Sequence, residues 1–158
     1  MNHSLKTGFS FGTTSGIITT LGLIIGLNSS TNSKLVIIGG IITIAIADAF
    51  SDALGIHISE ESENKHTTKE IWQSTISTFL SKFIFALTFI VPILLFNLAT
   101  AMIASIIWGM SMLGILSFYM AKKEKIKPLG VISEHLIIAI AVVIITNYVG
   151  YFVGRIFG

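Results

Sequence analysis

The chain contains no cysteine. That excludes disulfides, zinc–thiolate sites and thiol nucleophiles together, and leaves the redox compartment open. Charge is scarce as well. Only 11% of the 158 residues are Asp, Glu, Lys or Arg, less than half of the roughly 25% found in soluble domains. No charge run is long enough for a nucleic-acid tail, and nine of the ten basic residues are lysines in short stretches beside apolar runs, the arrangement of membrane topology signals. Enzyme signatures are missing too: no H-E-x-x-H, no G-x-S-x-G and no glycine-rich phosphate loop carrying a Lys. Composition therefore argues against a soluble domain, a nucleic-acid partner and an enzyme.

Apolar residues fill the chain instead, at 53%, with a mean hydropathy of +0.85. A helix crosses a hydrocarbon core of about 30 Å with roughly 20 apolar residues. Five stretches qualify: 8–27, 35–58, 77–96, 98–120 and 130–157. The first is longer than a signal-peptide core, and no small-x-small cleavage pattern follows it, so it reads as a retained span. The uncharged stretch from Phe83 to Tyr119 would extend to roughly 55 Å as one helix, too long for a single crossing. A hairpin near Asn97, with Pro92 distorting the helix before it, divides that stretch in two. The predicted fold is all-α: one polytopic domain of five transmembrane helices.

The charges orient these spans. With the N-terminus cytoplasmic and the C-terminus outside, the inner segments collect eight basic residues: Lys6, Lys65, Lys69, Lys82, Lys122, Lys123, Lys125 and Lys127. The outer segments keep Lys34 and Arg155. This is a strong positive-inside bias, and in a prokaryote the host would be the cell membrane. The polar segment 59–70 carries Thr67 and Glu70 at capping-box spacing, which predicts a helix start there.

Asp48 and Asp52 stand inside the second span, where a carboxylate costs about 2.5–3.5 kcal/mol and marks a candidate functional site. Their i, i+4 spacing puts them on one helix face. Counted from Ser59, Asp52 is roughly 10 Å deep and Asp48 roughly 16 Å. No Lys or Arg is expected deep enough to neutralise them, which leaves protonation, a water-filled cavity or a bound cation. Carboxylate, hydroxyl and carbonyl oxygens suit hard or borderline divalent ions. Ser51 shares the aspartate face, and Ser15 and Thr19 on the glycine stripe of the first span would add oxygens. Glu60, Glu61 and Glu63 would gather ions at the mouth, unless that segment is only a solvated linker. Met112 offers a thioether to a softer metal, although packing is the commoner use of Met. The glycines of the first and fifth spans read as packing faces, with a dimer contact open at the fifth.

From Phe11 to Leu27, reading FGTTSGIITTLGLIIGL, the chain resembles the first span of the vacuolar iron transporter family, typically LGANDGIVTTFGVVAG. From Ala47 to Ser59, reading ADAFSDALGIHIS, it is similar to the family's AGALSMAAGEYVSV segment, with Ala47, Ala49, Ser51, Ala53, Gly55 and Ser59 in register. Pro92 and the glycine-rich stretch from Val149 to Arg155 match less specific features. The resemblance implies a homodimer of five-helix protomers that moves Fe²⁺, Mn²⁺ or similar ions out of the cytoplasm in exchange for protons. Those ions would be transported rather than tightly bound as cofactors. The family's first-span Asp falls at Ser15, its second-span Met at Asp52 and its Glu at Ile56, and its long Glu-rich cytoplasmic insert is replaced by the short link 59–70. Two rivals stay open: a non-transporting scaffold or complex subunit with protonated aspartates, and a carrier or channel for another ion.

Overall fold

A computed structural model describes residues 3–158. The described residues form six helices and no strand: α1 (His3–Thr31), α2 (Lys34–Ser62), α3 (Thr68–Thr88), α4 (Ile90–Leu95), α5 (Leu98–Lys123) and α6 (Pro128–Phe157). Five rods are long and apolar enough to cross a bilayer, with α3 and α4 making one of them. The joint between α3 and α4 is at Phe89. Pro92 has no N–H to offer the Thr88 carbonyl four residues back, so the helix is interrupted there.

The ends of the rods follow local chemistry. Ser33 caps α2 by accepting from the Val36 N–H, and Asn97 caps α5 by accepting from the Thr100 N–H at 3.0 Å. Thr67 and Glu70 form the capping box expected from their spacing. Asn32, Asn64 and Lys125 take left-handed backbone angles just past the ends of α1, α2 and α5, where a chain leaving a helix commonly turns. Pro128 opens α6, a position where its missing N–H costs nothing.

The central rod is α1, which packs against α2, α3, α5 and α6. Gly8, Gly12 and Gly16 meet Ser74, Thr78 and Lys82 of α3 in ascending order, so the two helices run parallel. At Gly12 a Cβ would lie 2.2 Å from the Ser81 Oγ and 2.4 Å from the Thr78 carbonyl oxygen, so only glycine permits this approach. Further along, Gly22 and Gly26 face Val142 and Thr146 of α6, and a Cβ on Gly150 would lie 2.2 Å from the Gly26 carbonyl. The glycines of the fifth span thus seat α6 on α1 within one protomer. Ile17, Leu21, Ile24, Ile37, Ile41, Phe89, Ile93 and Leu113 fill the interior. Ile42, Ile46, Ile84, Ile103, Ile107 and Ile144 lie on the outside, as lipid contact requires.

Candidate cation site at the membrane midplane

The helix α2 has 29 residues and Asp48 is its central one, about 21 Å from either end. One turn on, Asp52 faces α1 and α3. The Ser15 hydroxyl donates to Asp52 Oδ2 at 2.6 Å. The Lys82 ammonium donates to the same oxygen and to Ser15 Oγ, the latter at 2.9 Å. It also pairs with Asp48 Oδ2 at 2.5 Å, so one ammonium bridges both carboxylates.

Lys82 corrects the sequence reading twice. It was expected at the cytoplasmic face, and the spans were expected to hold no basic residue that could reach the aspartates. In the structure it is 1% exposed, the largest fully buried side chain of the described residues. The reason is the start of α3: with Thr68 as its first residue, Lys82 falls about 21 Å along the helix. The glycine contacts then fix its depth, since a Cβ on Gly16 would lie 3.0 Å from the Lys82 carbonyl oxygen. Without Lys82, the basic residues assigned to the inner side number seven rather than eight, still against two.

Two carboxylates and one ammonium leave the cluster with one negative charge in excess. Their burial is unequal. The Lys82 side chain is 2% exposed, that of Asp52 20% and that of Asp48 29%. Asp48 and Ser51 look into an open groove of about 690 Å³ walled by Leu23, Leu27 and Gly40. Asp48 is therefore the accessible edge of the cluster and Asp52 its anchored centre.

The remaining sequence candidates are dispersed. Thr19 spends its hydroxyl proton on the Ser15 carbonyl at 2.8 Å. Glu60 is buried two turns beyond Asp52 and accepts from the Ser74 hydroxyl at 2.5 Å. Glu61 and Glu63 are exposed, with Glu63 3.8 Å from His66. Met112 packs against the apolar core. His57 turns away from the aspartates to Thr75, 2.9 Å from its Oγ1, and lies edge-on to Trp72. Ser117 and His135 pair at 2.7 Å between α5 and α6, a contact without a counterpart in the sequence reading. Among the described residues, no three His, Asp or Glu side chains gather as a metal-binding group. A metal held by one protomer would thus draw on two carboxylates, with hydroxyl and carbonyl oxygens for the rest.

No curated protein and no solved structure matches the chain. The model of the VIT family matches residues 9–71, which run from α1 through α2 into α3 and include Ser15, Asp48 and Asp52 but not Lys82. That family suggests membrane transport of metal ions and is non-enzymatic in general. Over residues 9–71, less than half of its length, the chain is similar to the VIT family, and five of its helices are long and apolar enough to span a membrane.

Proposed function

We propose that this protein transports divalent cations of the Fe²⁺ or Mn²⁺ kind, binding them at Asp48 and Asp52. The observation that supports the reading is a pair of carboxylates at the centre of α2 that share one cationic group, the Lys82 ammonium. Asp48 borders the open groove, so an ion arriving there meets the more exposed of the two carboxylates that Lys82 bridges. Metal binding then requires Lys82 to swing away from Asp48 while Ser15 keeps Asp52 in place. Pairing of two protomers through the open face of α2 would bring two copies of the groove around one path. That face has room: a Cβ on Gly55 would meet nothing within 4 Å. Export from the cytoplasm against protons completes the reading, and it rests on the family resemblance.

The test is metal uptake by proteoliposomes under an imposed pH gradient. Asp48→Asn should abolish Fe²⁺ and Mn²⁺ movement while the protein stays folded, because Asp52 still neutralises Lys82. Transport at the parental rate by Asp48→Asn/Asp52→Asn would refute the assignment.

One observation favours a second reading. Asp52 is satisfied by Ser15 and Lys82 within a single protomer, as a pin joining α1, α2 and α3 would be. A non-transporting scaffold would use the cluster in that way. It predicts no metal-dependent thermal shift and no uptake of any cation.

A further inference from the structure

A second concentration of charge lies away from the aspartates, where the first turns of α1 meet the last turns of α5. There a groove of about 480 Å³ is walled by Phe9, Leu116 and Tyr119 and edged by Lys6, Lys122 and Lys123. Glu124 is the one carboxylate in its lining, so three positive charges face one negative. Lys122 is engaged with the Phe118 ring, 5.1 Å from its centroid. Lys6 and Lys123, from different helices, edge the same groove. Two ammonium groups that share one groove repel each other unless an anion sits between them.

We infer that this groove binds one anionic phospholipid, with its phosphate between Lys6 and Lys123 and an acyl chain along Phe9 and Leu116. Charge complementarity selects the anion, since basic pockets between transmembrane helices suit acidic headgroups. The apolar wall favours a lipid over a free ion. Phe9 and Tyr119 are open to the outside, at 37% and 69% exposure, and Tyr119 stands in the last two turns of α5, where amphipathic rings settle at headgroup level. The inference is independent of metal transport, because the lining of the groove and the aspartate cluster share no residue.

The experiment uses the full chain in a neutral detergent. Native mass spectrometry and thermal unfolding would be followed during titration with phosphatidylglycerol, phosphatidylcholine or inorganic phosphate. Phosphatidylglycerol should bind and stabilise, and the other two should not. Lys6→Gln/Lys123→Gln should weaken phosphatidylglycerol binding about thirty-fold. Leu116→Trp fills the groove while keeping every lysine, and should weaken it as well. This variant decides the matter if the double lysine variant does not fold. Lys125→Gln/Lys127→Gln removes the same charge outside the groove and should leave binding unchanged. Equal retention of both lipids, full affinity in Leu116→Trp, or equal stabilisation by inorganic phosphate would each overturn the proposal.

Discussion

Replacing Lys82 with Met keeps most of the side-chain volume and removes the ammonium that Asp48 and Asp52 share. The two carboxylates then face each other in the membrane interior without a cation. Loss of one partner from a buried pair costs about 3–5 kcal/mol. The aspartates are 20% and 29% exposed, so part of their charge is solvated and the lower end of that range applies, about 3 kcal/mol. For a chain of this size that corresponds to a fall in Tm of roughly 10 °C. Thermal unfolding of the purified protein in detergent measures it. The unequal burial makes a sharper claim. Asp52 is the less exposed of the two carboxylates, so Asp52→Asn should rescue Lys82→Met more than Asp48→Asn does. In double-mutant cycles the coupling to Asp52 should be the larger, because its charge is the less solvated. If Lys82→Met melts within a degree of the parent, the cluster carries none of the electrostatic weight assigned to it.

Other perturbations test the packing and the capping. Gly12→Ala forces a Cβ against the Ser81 hydroxyl and the Thr78 carbonyl and should destabilise by about 1–3 kcal/mol. Gly55→Ala, which meets open space, should be neutral or slightly stabilising. Equal losses in thermal unfolding would contradict the parallel α1–α3 contact. Thr67→Ala removes the hydroxyl half of the capping box while the residue-67 N–H still donates to Glu70, and should cost about 1 kcal/mol, seen as faster amide exchange over residues 68–71. Pro92→Ala restores an N–H to the Thr88 carbonyl and should slow exchange around the α3–α4 joint.

The five crossings were legible because the length of an apolar run is a direct measure of bilayer thickness, and Asn97 and Pro92 marked the one ambiguous boundary. Asp48 and Asp52 were legible because an acid in an apolar run has few neutral explanations. Lys82 was not. It stands five residues into the apolar stretch that begins at Ser77, where a lysine can be read as snorkelling to the interface. Its depth depends on how far the helix extends before that stretch, which hydropathy does not report. A signal was nevertheless present. Ser74, Thr78 and Lys82 repeat every four residues, as do Gly8, Gly12 and Gly16, and two matched stripes of that period are what a close parallel contact needs. The division between Glu60 and its exposed neighbours Glu61 and Glu63 was out of reach, because it depends on where the α2–α3 turn places Ser74.

The shared ion cluster also bears on how the chain enters the membrane. Helix α2 is synthesised before α3, and by itself it would bring two carboxylates to the bilayer centre, each costing about 2.5–3.5 kcal/mol. Helix α3 by itself would bring an equally costly lysine. The link between them spans only residues 63–67, short enough to hold the two rods side by side from the moment both exist. Together they carry most of their own neutralisation, so α2 and α3 gain far more by partitioning as a hairpin than one after the other. Lys82 would then act during biogenesis as well as in the finished bundle, as the residue that makes an acidic span acceptable to lipid.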